Sequence, residues 1–281
     1  MRVRRLKSYS LREDDTEQND PVDEQESYWI WGEGAELYYH KLQAAFPELK
    51  FDFLHPARHD KYDWCVRFSS TDKSEIRAIR EFLHLLRRTL SIENSLDECY
   101  TLGWHSKSGG VGKPYLTALG QWVRMAKSYG TDRIERGDRQ IAGLIADQMV
   151  EFVQRHPLYR HSAGLVAVPP SNPEKAFDLP EAIASMVAAD CGIPFLKDAL
   201  YKQRITAQMK RCLTLEEKRD NIADSIGAQA EMVQGKRLLL IDDILESGVT
   251  LEETCRALRR AGVAEIMGLI ATKTLKHGSY E

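Results

Sequence analysis

The sequence predicts an α/β fold in which helices flank an open, mainly parallel sheet, preceded by a small α+β amino-terminal unit. Three observations support this prediction. Helical patterns alternate with short apolar runs over residues 116–276, and strands separated by helices of this length pair in parallel through right-handed crossovers. The run LLLI at 238–241 is wholly apolar, as in a strand buried on both faces. Residues 28–102 instead carry aromatic clusters and an amphipathic helical pattern.

Length and composition indicate a soluble globular protein. The 281 residues are 43% hydrophobic and 29% charged, which allows two domains that each bury a core. No apolar run approaches the roughly 18 residues that cross a membrane. A net charge of -3 gives no overall electrostatic reason to expect nucleic-acid binding. The five cysteines are scattered without a CxxC pair, and no apolar signal segment follows the basic start, so we expect a cytoplasmic protein with neither disulfides nor a zinc site.

Two segments are expected to lie outside the folded units. Residues 1–27 turn acidic after a basic start and carry too little apolar surface to offset the entropy of ordering, so they are predicted to be a mobile polar arm. The glycine-rich segment 103–115 resembles a phosphate loop only superficially. Lys107 and Pro114 stand where that loop needs a glycine and a hydroxyl residue. We interpret the segment as a flexible linker.

The unit at 28–102 is expected to be a small α+β domain of unknown role. Its aromatic clusters YWIW, ELYY, FDF and YDWCVRF precede a helical pattern at 74–90. Apolar residues recur there at helical spacing and leave four arginines on the outside. We interpret the aromatics as core and the arginines as a solvated face. A ligand cage and a nucleic-acid surface are the respective alternatives.

The second half is expected to form one domain over residues 116–276, with a tail at 277–281. Helices are predicted at 116–129, 138–155, 180–190 and 250–261. Strands are predicted at 164–169, 237–241 and 265–272. Ligands of open α/β sheets bind beyond the carboxyl ends of the strands. Asp242 and Asp243 fall at such an end.

The turn after these aspartates has the features of a phosphate site. Its residues are Ser247, Gly248, Val249 and Thr250. A helix follows at once, so unpaired backbone N–H groups and the positive end of the helix dipole meet there. Gly248 lets the backbone approach an anion, and the neighbouring hydroxyls add donors. A capping box between Thr250 and Glu253 is the structural alternative, and one helix end can serve both purposes.

The paired aspartates indicate what else the ligand carries. Adjacent carboxylates repel each other and cost desolvation energy when buried, so a ligand is expected to offset that cost. Asp242 and Asp243 would accept hydrogen bonds from the vicinal hydroxyls of a ribose, with a divalent cation nearby to balance charge. The predicted ligand is therefore a ribose 5-phosphate.

Four apolar residues, two acids and then Ser/Thr-Gly-x-Thr resemble the signature of type I phosphoribosyltransferases. The resemblance implies a type I phosphoribosyltransferase-like fold that binds phosphoribosyl pyrophosphate (PRPP) with Mg²⁺, which Asp242 and Asp243 would hold indirectly through PRPP. The similarity is closest to the competence-associated, ComF-like branch, whose motifs resemble RITAQ at 204–208 and LTLEEKRDNI at 213–222. It covers residues 117–273. The amino-terminal cysteine finger of that branch is missing.

The resemblance adds two loops to the candidate site. In the family, the segment around RITAQ supplies a flexible loop that closes over the ligand, and its charges suit a pyrophosphate. The corresponding residues are Arg204, Thr206, Gln208, Lys210, Arg211, Lys218 and Arg219. Alternatively, Lys218 and Arg219 only solvate a helix that begins with a capping box at 214–217. The pyrophosphate loop is reduced to one basic residue, and its members are Pro170, Ser171, Asn172 and Lys175.

Glu246 stands where many family members carry Thr, whereas the 6-oxopurine phosphoribosyltransferases carry an Asp assigned as the base near purine N7. A carboxylate there would accept a proton from a nucleobase as the glycosidic bond forms. The alternative is an exposed loop glutamate. Catalytic roles are predicted for Glu246, Asp243 and Arg204.

Two functions follow from these expectations. The first is Mg²⁺-dependent transfer of phosphoribose from PRPP to a nitrogenous, purine-like acceptor with release of pyrophosphate. The second is a non-catalytic PRPP-sensing or regulatory module in which residues 28–102 contact a protein partner in DNA uptake or defence, and the reduced pyrophosphate loop favours it. A nucleotide hydrolase has less support. The resemblance also suggests a homodimer, and the scattered histidines predict no catalytic metal triad.

Overall fold

The computed structural model describes residues 1–13, 26–34, 37–54, 61–109, 112–127, 136–171, 177–207 and 212–275. The chain divides into two compact units. The larger comprises residues 1–2, 92–154 and 159–281, and the smaller comprises residues 3–91 and 155–158. No helix in the described ranges is long and apolar enough to cross a membrane.

The described elements are numbered in chain order. The strands are β1 (Arg2–Arg4), β2 (Ser8–Glu13), β3 (Glu26–Glu33), β4 (Asp52–Leu54), β5 (Trp64–Ser70), β6 (Leu90–Glu93), β7 (Glu98–Trp104), β8 (Ser106–Gly109), β9 (Gly112–Leu116), β10 (Gly164–Ala167), β11 (Leu200–Lys202), β12 (Ile226–Ala228), β13 (Arg237–Leu245) and β14 (Glu265–Lys273). The helices are α1 (Leu37–Ala45), α2 (Lys73–Arg88), α3 (Ala118–Ala126), α4 (Arg136–Arg155), α5 (Leu179–Cys191), α6 (Leu215–Ile222), α7 (Ala230–Val233) and α8 (Val249–Arg260).

The larger unit is built on parallel strands in the order β7-β14-β13-β10. Leu238, Leu239, Leu240 and Ile241 of β13 have no exposed surface. β13 lies between β10 and β14, and its apolar run gives both faces of the strand a buried surface. The predicted α/β fold with a mainly parallel sheet is confirmed.

Two helices of the larger unit, α5 and α8, begin beyond the carboxyl ends of its parallel strands. α5 begins where the Asp178 carboxylate accepts a hydrogen bond from the backbone N–H of Glu181, 3.2 Å away, and it ends at Gly192. α8 connects β13 to its parallel neighbour β14. Each of these two helices therefore begins on the side of the sheet where β10 and β13 end.

The smaller unit is an antiparallel sheet in the order β2-β3-β5-β4 with α1 and α2. The Asp72 carboxylate caps α2 by accepting from the backbone N–H of Ser74 at 2.7 Å. The buried face of α2 carries Ile76, Ile79, Phe82, Leu83, Leu85 and Leu86. The four arginines of the predicted helix are exposed, and Arg77 pairs with Glu81 at 3.0 Å. An α+β amino-terminal unit is therefore confirmed.

The prediction of a mobile arm is wrong for the first 13 residues. β1 and β2 lie within it, and β2 pairs with β3 over six residues from Ser8 to Glu13. Backbone hydrogen bonds form regardless of side-chain polarity, and Leu6 adds a fully buried side chain. Residues 14–25 of the predicted arm lie outside the described part of the chain.

The boundary and the linker also differ from the predictions. β7 pairs with β14 and belongs to the parallel sheet, so the larger unit takes up residues from Ile92 onward rather than from the predicted 116. The expected linker instead contains the β8–β9 hairpin. The Thr117 hydroxyl donates to the Trp104 carbonyl at 2.6 Å and so fixes the end of this hairpin. The tail at 277–281 is outside the described residues.

Candidate functional site

A cavity of about 370 Å³ opens where β10 and β13 end, as predicted for a ligand site in this fold. Its walls come from the segment after β10, the start of α5, the end of β13 and the start of α8. The lining includes Lys127, Val168, Pro169, Pro170, Ser171, Phe177, Asp178, Lys218, Asp242, Asp243, Glu246, Ser247, Gly248 and Thr250. Residues far apart in the sequence thus meet around one pocket.

Asp242 and Asp243 form the acidic floor of this cavity. Asp243 is 6% exposed, and its Oδ2 lies 2.8 Å from the ammonium of Lys127. Asp242 is half-buried, and its Oδ1 accepts the backbone N–H of Asp243 at 2.8 Å. The lysine offsets part of the charge that two adjacent carboxylates bring into a poorly solvated place.

Lys127 was not among the predicted site residues. It follows α3 as the C-cap residue, more than one hundred positions before the aspartate that it contacts. Its sequence signal was weak, since a lysine at the end of a helix commonly interacts with the last carbonyls and needs no other role. The fold, rather than local sequence, brings it to the site.

Asp178 is a third carboxylate at the cavity that sequence reasoning missed. An Asp before Leu-Pro at the start of a helix is typical of an N-cap, and it does cap α5. Burial raises the pKa of Asp178 to about 6, and the charge of Asp243 adds to the shift. Burial, followed by the charge of Asp243, raises the pKa of Asp242 to about 8. Both shifts arise because negative charge is concentrated where solvation is poor.

The turn Ser247–Thr250 lies on the cavity wall at the start of α8. Gly248 is the N-cap residue with a φ of 85°, a left-handed conformation that favours glycine. As a glycine, this N-cap residue makes no side-chain cap hydrogen bond. The first N–H groups of the helix therefore lie beside the cavity without a side-chain acceptor from the cap, as a phosphate site requires.

The alternative of a capping box between Thr250 and Glu253 is wrong. Thr250 lies inside α8 rather than at its cap, since the helix begins one residue earlier, at Val249. Glu253 is 1% exposed and pairs with Arg256 on the same helix. β13 ends at Leu245, the left-handed Gly248 leads the chain into α8, and Thr250 lines the cavity.

Glu246 is held by two lysines. Its Oε1 lies 2.6 Å from the ammonium of Lys218, and its backbone carbonyl accepts from Lys273 at 3.1 Å. The Glu246 side chain is 61% exposed, whereas that of Lys218 is 14% exposed. The carboxylate predicted as a base is thus paired with a cation at the cavity wall.

Helix α6 has the predicted capping box, because the Thr214 hydroxyl and the Glu217 carboxylate satisfy the first backbone N–H groups. The alternative that its lysine only solvates the helix does not fit, since Lys218 lines the cavity. Arg219 points elsewhere and lies 3.6 Å from Glu252 of α8. Only the first of these two basic residues reaches the pocket.

Of the other predicted loop residues within the described ranges, two line the cavity and two do not. Arg204, predicted as catalytic, does not line the cavity; its Nη2 donates to the carbonyls of Asn221 and Ala223 at 3.0 and 2.6 Å near the end of α6. Thr206 is 8% exposed and is likewise absent from the lining. Pro170 and Ser171 line the cavity as predicted. The predicted residues outside the described ranges are Asn172, Lys175, Gln208, Lys210 and Arg211.

The acidic residues suit magnesium only as partial ligands. No group of three or more His, Cys, Asp or Glu side chains within the described residues could hold a metal ion. Carboxylate oxygens are the hard donors that Mg²⁺ prefers, and this ion usually keeps waters and phosphate oxygens as well. Asp242 and Asp243 therefore fit an ion that a phosphorylated ligand brings with it.

The pKa shift of Asp242 predicts how stability depends on pH. Its folded-state pKa lies above the ordinary 3.8, so the folded protein keeps a proton that the unfolded chain has released, and the free energy of unfolding falls as pH rises from about 4 to about 8. We expect Asp242→Asn to remove this loss and to raise the free energy of unfolding at pH 8 by about 1–3 kcal/mol, allowing for its partial exposure.

Chemical unfolding at pH 5 and pH 8 measures this effect. The matched control is Asp190→Asn, because Asp190 is exposed at the end of α5 and away from the cavity. Its pH dependence should equal that of the wild type. A variant Asp242→Asn with the same pH dependence as the wild type would show that this carboxylate is ionised throughout.

Part of this chain matches the model of a known protein family. Residues 173–273 match the family model for the phosphoribosyl transferase domain. The amidophosphoribosyltransferase of Rattus norvegicus is 26% identical over 137 residues, which are 48% of this chain and 26% of that protein. The matched region thus spans about a quarter of the length of that relative.

Two solved structures resemble the chain at low identity. The glutamine phosphoribosylpyrophosphate amidotransferase from B. subtilis, complexed with ADP and GMP, aligns with 88% of this chain and 48% of its own, with 12% identity and a TM-score of 0.39. The adenine phosphoribosyltransferase from Leishmania tarentolae aligns with 61% of this chain and 83% of its own, with 12% identity and a TM-score of 0.34. The residues that match the phosphoribosyl transferase domain include β13 and α8, whose adjoining ends line the cavity.

Proposed function

We propose that this protein binds PRPP with Mg²⁺ and transfers its phosphoribosyl group to a nitrogenous acceptor, with release of pyrophosphate. One observation carries the proposal. The acidic pair at the end of β13 and the uncapped start of α8 line the same cavity, within the segment that matches the phosphoribosyl transferase domain. A ligand with a phosphate and a vicinal diol on one small scaffold uses both features.

The binding roles follow from the chemistry of each wall. The backbone N–H groups of Ser247–Thr250, with the hydroxyls at its ends, would bind the 5-phosphate. Asp242 and Asp243 would accept hydrogen bonds from the ribose hydroxyls. The ammonium of Lys218, on the cavity wall, would contact the diphosphate. Lys127 orients Asp243 through their 2.8 Å ion pair.

The proposed reaction breaks the bond between ribose C1 and the diphosphate oxygen and forms a bond between C1 and the acceptor nitrogen. The diphosphate leaves with the electron pair, so positive charge develops at C1 while negative charge grows on the leaving group. Magnesium bound with the diphosphate would supply neutralising charge. Glu246 would take the proton that the acceptor nitrogen loses, and basic groups at the cavity would stabilise the leaving group.

The acceptor and the partners are extensions of this proposal. The names of the two solved relatives associate PRPP with glutamine in one case and the transfer reaction with adenine in the other. We propose a purine-like base as the acceptor, and ammonia and glutamine belong in the same test. Membership of the ComF-like branch, cytoplasmic location, a homodimer and a protein partner for residues 28–102 remain predictions from the sequence.

A second candidate is a PRPP-binding regulatory module without turnover. Two observations favour it: the segment corresponding to the pyrophosphate loop has one lysine where the family has several arginines, and the predicted base is already paired with Lys218. Fewer positive groups at the leaving diphosphate would slow its departure. Binding without pyrophosphate release would identify this function.

The first prediction concerns binding. Magnesium with PRPP should raise the melting temperature of the wild-type protein, because a ligand that binds only the folded state stabilises it. Asp242→Asn combined with Asp243→Asn should abolish the rise, each protein being compared with its own ligand-free baseline. Asp190→Asn is the control and should keep the full rise. A wild-type protein with no shift would contradict the proposal.

The second prediction concerns turnover. Glu246→Gln should still bind PRPP but release pyrophosphate about 10²-fold more slowly with the correct acceptor, the usual scale for loss of a general base. Pyrophosphate release is measured across a panel of purine bases, ammonia and glutamine. Equal rates for the two proteins would exclude Glu246 as the base. Binding by the wild type with no release from any acceptor would favour the regulatory candidate.

A further inference from the structure

We propose that the ion pair between Lys218 and Glu246 is a ligand-released latch. An anionic diphosphate would take Lys218 as its partner, and the carboxylate of Glu246 would thereby become available to the acceptor. The inference rests on the proposed function of the cavity and deepens it, because it links occupation of the PRPP site to the state of the predicted base. The sequence did not predict a contact between these two side chains.

The two partners differ in how easily they can move. The Lys218 side chain is 14% exposed, so its ammonium needs a negative partner to offset lost hydration. The Glu246 side chain is 61% exposed, so its carboxylate can leave the pair and be solvated at little cost. The lysine is therefore the fixed partner and the glutamate the displaceable one.

The backbone around Lys218 is held in place by contacts among residues that do not line the cavity. A capping box begins α6, and Arg204 donates to the carbonyls at its end. Asn221 and Ala207 exchange two hydrogen bonds of 2.9 Å. Because both ends of the helix are fastened, a new anion at Lys218 would displace the carboxylate rather than the helix.

The Glu246 backbone is also anchored. Its carbonyl accepts from Lys273, whose side chain is part of the buried end of β14, at 3.1 Å. When the ion pair breaks, the side chain can rotate while the main chain stays beside Asp243 and the phosphate turn. The carboxylate would then face the cavity that it lines. Before PRPP binds, the carboxylate of Glu246 is paired with the ammonium of Lys218.

A latch of this kind makes an unusual prediction about affinity. Glu246→Gln removes the competitor for Lys218, so the Kd for PRPP with Mg²⁺ should fall about three-fold, the size expected for one partly exposed ion pair. Lys218→Gln should raise the Kd. In the double variant the gain from Glu246→Gln should disappear, because the lysine that the ligand would claim is gone. Isothermal titration calorimetry measures all four proteins.

Glu252→Gln separates the latch from general repulsion. Glu252 is in the first turn of α8 and pairs with Arg219 of α6 at 3.6 Å, yet neither residue lines the cavity. This variant loses the same charge at a nearby position and should leave the Kd unchanged within two-fold. The latch is overturned if Glu246→Gln leaves the Kd unchanged, if its gain persists without Lys218, or if Glu252→Gln gives an equal gain.

A second measurement tests the latch independently of PRPP. A double-mutant cycle on unfolding free energy should show coupling between Lys218 and Glu246 in the ligand-free protein, and saturating magnesium pyrophosphate should erase it. Coupling that is absent without ligand, or unchanged with it, would overturn the inference. A protein that fails to bind PRPP while the pyrophosphate arm succeeds would contradict the proposed function and not the latch.

Discussion

The site depends on how negative charge is held at the end of a buried strand. β13 carries four fully buried apolar residues and then presents Asp242 and Asp243 to a cavity that Asp178 also lines. The charge of Asp243 contributes to the raised pKa values of Asp242 and Asp178, and three carboxylates in this confined place would destabilise the fold if nothing opposed them. In the ligand-free protein, the ammonium of Lys127 beside Asp243 offsets part of this negative charge. A bound sugar diol with its cation would offset more of it.

The fold explains why this charge can be tolerated. The sheet is buried on both faces around β13, so packing of this strand fixes the positions of the aspartates while Lys127 offsets part of their charge. The uncapped start of α8 brings positive potential to the same cavity. The acid pair and the turn Ser247–Thr250 are adjacent in the chain, and the strand and the helix position them as one unit.

Local sequence predicted the parts of the site that lie in one segment. The apolar run before Asp242 and the glycine before α8 are local signals, and the structure has the strand and the helix there. Lys127 and Asp178 could not be predicted in this way, because they lie 116 and 65 positions before Asp243 in the sequence. Tertiary packing brings all three residues to the same cavity. The Lys218 contact with Glu246 spans 28 residues and has the same origin.

The errors have equally physical causes. β2 reads as SYSLRE, in which Tyr9 and Leu11 are half-buried and the other four residues are polar, and it is ordered by backbone pairing with β3. The hairpin β8–β9 lies where glycines suggested a linker, because glycine suits tight hairpins as well as loops. Composition indicates which segments cannot bury a core by themselves. It does not indicate whether such a segment pairs with a strand elsewhere in the chain.

A crystal structure of the protein with PRPP and magnesium tests most directly whether the acidic pair holds the sugar. We expect the 5-phosphate on the backbone N–H groups at the start of α8, with the ribose hydroxyls within about 3 Å of the carboxylates of Asp242 and Asp243. Ribose phosphate bound outside this cavity, or bound inside it without contact to either aspartate, would contradict the claim that the acidic pair exists to hold the sugar.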